Sequence, residues 1–283
     1  MPPRAAPSER QKRLGAELRK MRLAARASTE YAAGLLGVDR AKISNVESGV
    51  RIITPDRLRT LAIAYACTDD DYVDALVAMA EDKERGWWEE YRGTLPAGML
   101  DVAELEWHAT QVRTVQFVHL PALLQIEDYA RGIFNATVPK LSPLRVEQGI
   151  AHRMARQKIF DRPDPVPYLA YIHEAALRMR FGGSKATRQQ LIHLAEHSEQ
   201  DGIDVRIIST TVNDFPGAGH ALLYADGTVP PLDTVQLDSA IGPVFTAADD
   251  QLAKYRTHLD WMDKAALSPA ASRDLILTVA REI

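Results

Sequence analysis

Two small residues set four apart, Ala33 and Gly37, constrain this chain more than any other feature of its 283 residues. Gly37 lets the backbone take a positive φ and stop a helix. Ala33 lets a second helix cross the first closely, where a bulky side chain would hold the two apart. Ser28 and Asp39 stand where each helix would start, with oxygens able to cap the first free amides. Glu30 falls in the first turn of the earlier helix, where negative charge is favoured. Ile43 and Val46, three apart, face inward on the later helix, which ends at Gly49. The pattern therefore predicts two short helices around a tight turn, with Arg40, Ala41, Lys42, Ser44 and Asn45 left on the outside.

Three more helices are expected around this pair. Leu14, Leu18 and Met21 recur at i, i+4 and i+7, the stripe of a core-facing helix. Thr54-Pro55-Asp56 opens a fourth helix with proline at its first position, and Leu58, Leu61, Ala62 and Tyr65 form its apolar face. Asp69-Asp70-Asp71 opens a fifth, with Tyr72, Leu76 and Met79 inward; the spaced ligands of a calcium loop are missing. The expected division is a loose tail over 1–10, an all-α helical domain over 11–66, a connecting helix over 67–86 and a larger domain over 87–283.

Charge follows the same division. Residues 1–66 hold 13 Lys and Arg against 6 Asp and Glu; the remainder holds 21 against 32, and the net is −4. A basic head on an acidic body suits a polyanion bound by the head alone. A helix with polar residues near its N-terminus fits the major groove of double-stranded DNA. Arg40 is placed to reach a guanine edge, and Asn45 an adenine or a phosphate. Lys42, Arg51 and the helix start at Thr29 suit phosphates.

Residues 13–66 resemble the XRE family of helix-turn-helix regulators, the fold of the lambda-type repressors. The resemblance is carried by Leu18, Arg22, Ala33, Gly37-Val38 and the run Ile43-Ser44-Asn45-Val46-Glu47-Ser48-Gly49. It implies an ion pair between Arg22 and Glu47. This chain departs from the pattern at Ala32 and Leu35, and Gly34 inside a helix costs about 1 kcal/mol relative to alanine.

Beyond Gly86 the texture changes. Stretches rich in Val, Ile, Tyr and Phe at 112–119, 167–174, 205–209, 221–224 and 234–237 read as strands. Helical patterns lie between and after them, at 126–134, 143–160, 187–200 and 247–266. A mixed α/β or α+β domain is expected. The segments Trp87-Trp88-Glu89-Glu90-Tyr91, Leu120 to Arg131, Arg153-Met154-Ala155-Arg156-Gln157, Phe215-Pro216-Gly217 and Leu267-Ser268-Pro269 with Ser272 resemble antitoxin-like XRE regulators of actinobacteria. That resemblance implies a regulator, often paired with a small partner protein. Trp87, Trp88 and Tyr91 are expected to seal a hinge between the two domains.

Other signals point to weaker alternatives. His193-Leu194-Ala195-Glu196-His197 fits one metallopeptidase pattern and would make a metal-dependent hydrolase. Its flanking polar residues read instead as a solvated helix end. Gly182-Gly183 and Gly217-Ala218-Gly219 lack the strand and helix of a nucleotide site and read as turns. Ser239 lies in no nucleophile elbow. Cys67 is the single cysteine, which excludes an internal disulfide. No signal segment and no run of about 18 apolar residues is present, so a cytoplasmic protein without a membrane partner is expected. The sequence therefore predicts a homodimeric DNA-binding regulator, not an enzyme, with no cofactor and no metal. Its control would come from a small-molecule effector or a small partner protein. An antitoxin-like module neutralising such a partner is the alternative.

Overall fold

The helices of the N-terminal region begin where a side chain can cap them. The computed structural model describes residues 6–82, 86–213, 215–216 and 220–283. Residues 1–5 of the expected tail, residues 83–85 of the expected connector and Gly217-Ala218-Gly219 lie outside the described residues. Ser8 and Gln11 form a reciprocal capping box that starts α1 (Glu9–Ala24), inside the stretch read as tail. Ser28 accepts from the Tyr31 amide at 3.0 Å to start α2 (Thr29–Leu36). Asp39 accepts from the Lys42 amide at 2.7 Å to start α3 (Arg40–Glu47). Proline opens α4 (Pro55–Ala64), and Asp69 caps α5 (Asp70–Glu81). Gly37 and Gly49 take φ of 61° and 75°, conformations that favour glycine.

The chain separates into two compact units, Met1–Glu89 and Glu90–Ile283. The helix expected to lead out of the head packs into the first of them. Tyr72, Val73, Leu76, Val77 and Ala80 bury one face of α5, while Met79 is only half-buried. The Tyr72 hydroxyl donates to Glu17 of α1 at 2.5 Å, and Arg13 pairs with the same carboxylate. Burial and that bond push the Tyr72 pKa up. Glu17 sits on the inward face of α1, where sequence periodicity favours an apolar residue, and the bond makes it tolerable.

In the second unit, β1 (Gln111–Gln116), β2 (Tyr168–His173), β3 (Ile203–Ile208), β4 (Leu222–Asp226), β5 (Thr234–Leu237) and β6 (Val244–Thr246) form one sheet in the order β3-β2-β1-β4-β5-β6. β1, β2 and β3 run parallel; β4, β5 and β6 join antiparallel. The helices are α6 (Ala97–His108), α7 (Glu127–Asn135), α8 (Pro143–Arg156), α9 (Glu174–Leu177), α10 (Gly183–His197), α11 (Asp249–Ala265) and α12 (Pro269–Glu282). Strand alternation sorts the sheet into two faces. Val112, Ala170, Ile172 and Leu223 share a core with Leu191 and Leu194 of α10 and Ile276 and Val279 of α12. Val115, Tyr171, Tyr224 and Val235 pack on the other side with Leu252, Leu259 and Met262 of α11. The result is an all-helical N-terminal unit followed by a mixed-sheet α+β unit.

The sequence pattern left α6, α9, β6 and α12 unassigned. Ser268 and Pro269 open α12, and Ser272 holds it to the sheet: its hydroxyl accepts from the Ile207 amide at 2.9 Å. The Leu267 amide donates to the Ile207 carbonyl at 2.9 Å. These bonds cover part of β3, an edge strand whose open groups would otherwise invite pairing.

Candidate nucleic-acid interface

What α3 presents is decided by what holds its other side. Ile43 is buried, and Val46 is half-buried beside it. Arg22 of α1 grips Glu47 in a two-point bond, Nε to Oε1 at 2.6 Å and Nη2 to Oε2 at 2.8 Å. Its Nη1 donates to the Ala27 carbonyl at 2.9 Å. The two side chains keep 9% and 10% of their surface exposed. The Glu47 hydrogen bond raises the Arg22 pKa further, so this cation is permanent. Tyr65, buried near the pair, is pushed up to about 12 by burial and by the Glu47 charge.

With that side fixed, Arg40, Ala41, Ser44 and Asn45 are exposed and Lys42 is half-buried. Arg51 is exposed as well, its amide held by the Asn45 carbonyl at 3.0 Å. Among the described residues the side chains of Lys42, Asn45 and Arg51 enter no hydrogen bond or ion pair, so they are free to meet a ligand. Arg40 is not idle: it pairs with Glu30 at 3.0 Å, both side chains more than half exposed. Glu30 lies at the start of α2, the place read as a phosphate seat. A bond from its own backbone holds its carboxylate below the usual range, helped by the Thr29 hydroxyl and by Arg40. The α2 N-terminus is therefore already occupied by an anion from the chain itself. A phosphate at Thr29 has to displace that carboxylate, and Arg40 has to leave it to reach a base.

Two family models match the chain. One, described as a helix-turn-helix domain, covers residues 13–76; the other, described as a domain of unknown function (DUF5753), covers residues 99–278. The second spans more than half of the sequence. The chain belongs to the DUF5753 family. Comparison with curated proteins and with solved structures gave no match. In this DUF5753 chain the matched helix-turn-helix residues include most of α5, in keeping with its packing in the first unit.

One close approach between helices of that unit was not read from the sequence. A Cβ on Gly15 of α1 would lie 2.5 Å from the Val46 carbonyl oxygen and 2.7 Å from that of Glu47. A Cβ on Gly49 would meet the Lys12 backbone at 2.7 Å. So α1 lies against the end of α3 through two glycines, and Ala33 of α2 is buried. Gly15 inside an amphipathic helix, in line with the buried Leu14 and Leu18, was the available signal.

The remaining sites are placed as follows. Trp87, Trp88 and Tyr91 lie on one 3₁₀ turn, within which the boundary between the two units falls. Trp87 and Trp88 meet edge to face at 5.9 Å, and Tyr91 packs on His152 at 5.0 Å. His193 and His197 share a face of α10, with ring centres 3.8 Å apart. Burial and the neighbouring ring lower His193 to about 4. No group of three metal-ligating side chains exists among the described residues, and none of their helices is long and apolar enough to cross a membrane.

Proposed function

We propose that this protein is a sequence-specific transcriptional regulator that binds double-stranded DNA as a homodimer. In this reading α3 is the recognition helix, and the C-terminal unit takes the controlling signal, a small molecule or a small partner protein. The observation that carries the proposal is the asymmetry of α3. The Arg22–Glu47 bond and Ile43 pin one side, and Arg40, Ala41, Ser44 and Asn45 stand out on the other. A helix so presented fits the major groove, and the basic excess of residues 1–66 supplies the attraction to phosphates. A single recognition helix covers few base pairs, so two heads related by a two-fold axis give the specificity a regulator needs.

Fluorescence anisotropy on a selected duplex tests this over a salt series. Affinity falls steeply with salt because counterions are released from the phosphates. Arg51→Ala weakens all duplexes alike, whereas Arg40→Ala relaxes sequence choice and costs about 1–3 kcal/mol if it reads a guanine. Salt-independent binding, or unchanged binding by the Arg40→Ala, Lys42→Ala double variant, contradicts the assignment of α3. Sedimentation of the full chain checks the dimer; a monomer that still binds one site tightly contradicts it.

A further inference from the structure

The segments 120–125 and 153–157, singled out in the sequence but unused by the DNA interface, meet in the C-terminal unit. The Gln157 side chain donates to the Gln125 carbonyl at 2.7 Å, and the Gln125 amide group donates to the Leu120 carbonyl at 2.7 Å. Gln125 is thereby clamped, with its side-chain oxygen accepting from Arg153 Nη1 at 2.7 Å. Beside these residues lies a cavity of about 170 Å³. Its walls come from α6, from the end of α8, and from the β1, β4 and β5 portion of the sheet.

Two arginines of α8 line it, and they differ in kind. Arg156 is held by Glu106 of α6 through two bonds, Nε to Oε2 at 2.8 Å and Nη2 to Oε1. Glu106 keeps 1% of its side-chain surface exposed, so this pair neutralises itself inside the protein. Arg153 has no carboxylate within ion-pair distance among the described residues. Its guanidinium lies 4.5 Å from the centre of the Phe134 ring, and its Nε is buried without an acceptor. The side chain is half-buried, and a cation partly withdrawn from water without a carboxylate in ion-pair distance is unfavourable. Burial and the neighbouring Arg156 push this guanidinium down to about 10, against the pull of Asp238 and Glu106.

The rest of the lining limits what can sit there. Met99, Val102, Leu123 and Pro243 offer an apolar wall, while Thr114 bonds the Leu222 carbonyl and Gln236 bonds Asp238. The volume falls below the roughly 300–1,000 Å³ of sites for drug-sized ligands. Arg153 lacks a carboxylate within ion-pair distance among the described residues and can take one, while Asp238 on the same wall limits the negative charge that the cavity accepts. A dianion such as phosphate needs a second free cation, but Arg156 is committed to Glu106 and Asp238 adds a negative charge to the wall. We infer that the cavity binds a small monocarboxylic acid with an apolar body, its carboxylate on Arg153 and its body against Met99, Leu123 and Pro243. This deepens the proposed sensing role of the C-terminal unit and rests on that reading only for what binding would control.

Isothermal titration of the full chain without DNA tests it. The probes are a series of acids from acetate to 3-methylbutanoate and benzoate, the neutral amide 3-methylbutanamide, and inorganic phosphate. At least one of the larger acids is expected to bind saturably, with the amide and phosphate weaker by about tenfold or more. Arg153→Gln should lose about tenfold or more, and Arg153→Lys should recover part of the loss. Met99→Trp, which fills the cavity and leaves the charge in place, should also remove binding. The far-ultraviolet circular dichroism of each variant establishes that it is folded. No binding by any acid at millimolar concentration overturns the inference. So does an amide or phosphate that binds as tightly as the acids, or acid binding unchanged in both Arg153→Gln and Met99→Trp. Because no DNA is present, a failed titration leaves the assignment of α3 standing, and failed DNA binding leaves this result valid.

Discussion

Arg22 in the N-terminal unit is buried and Arg153 in the C-terminal unit is half-buried, and they are treated in opposite ways. Arg22 meets a carboxylate with two parallel bonds and a carbonyl with its third donor group. Arg153 meets a neutral amide and an aromatic face, with one donor left over. The pair at Arg156 and Glu106 shows that the C-terminal unit also builds complete ion pairs, so the incompleteness at Arg153 is local. The bond between Arg22 and Glu47 fixes how α1 and α3 sit, whereas Arg153 holds Gln125 and faces a cavity. The two units thus differ: one presents an outward-facing helix held from behind, the other a cavity lined by an arginine with no paired carboxylate among the described residues.

The largest expected effect sets these two residues against each other. Arg22→Ala leaves Glu47 withdrawn from water without its partner and should destabilise the N-terminal unit by about 3–5 kcal/mol, nearer the lower figure because some exposure remains. Arg153→Met removes a charge with no paired carboxylate but leaves the buried Gln125 oxygen without its donor, and should cost less, about 1–2 kcal/mol. Denaturant unfolding of the full chain, followed by circular dichroism, measures both. Equal losses in the two variants would erase the distinction.

Next comes the packing behind α3. Gly15→Ala forces a Cβ into the Val46 and Glu47 carbonyls and should cost about 1–3 kcal/mol. The same unfolding measurement checks it, and an unaffected variant would mean that α1 and α3 can separate freely.

The C-terminal unit should alone show a marked histidine effect. His152 is fully buried on α8, and burial, with Arg156 and Arg153 nearby, lowers it to about 3. Because its folded pKa lies below the ordinary value of about 6.5, the fold prefers the neutral ring. Its contribution is complete above pH 6.5 and is lost as pH falls from there toward 3. At pH 5.5 the loss should be about 1–2 kcal/mol. Unfolding midpoints at pH 7 and pH 5.5 should differ more in the native chain than in His152→Gln. Identical differences would mean that His152 titrates normally.

The smallest effect has the opposite sign. Gly34 lies in α2 with open space around its would-be Cβ, so Gly34→Ala should stabilise the N-terminal unit by about 0.5–1 kcal/mol. A thermal melt that falls instead would place an unseen constraint on α2.

The same contrast explains what could be read beforehand. The N-terminal helices were legible because their signals are local: Ser28 and Asp39 as caps, Gly37 as a stop, Leu14, Leu18 and Met21 as a stripe. Even there, Gly15 was missed, because a close approach between α1 and α3 leaves no periodic trace. The capping box of Ser8 and Gln11 was hidden by the prolines before it. In the C-terminal unit five strands were legible from their Val, Ile and Tyr content, while three-residue β6 was too short to give a pattern. The helix α6 follows Pro96 and has no side-chain cap to announce it. The cavity was not legible at all. It joins Met99, Thr114, Arg153 and Gln236, which are far apart in sequence and meet only through the strand order β2-β1-β4-β5. Arg153 and Arg156 look alike in the sequence; only Glu106 tells them apart.

Selection from a pool of randomised duplexes with the full chain tests the central claim most directly, that α3 reads DNA while its inner side is pinned by Arg22 and Glu47. The native chain should enrich a two-fold symmetric site with half-sites about one helical turn apart. The Ser44→Ala, Asn45→Ala double variant, altered only on exposed positions of α3, should fold normally and lose that enrichment. A native chain that enriches nothing, or a double variant that enriches the same site equally well, would contradict it.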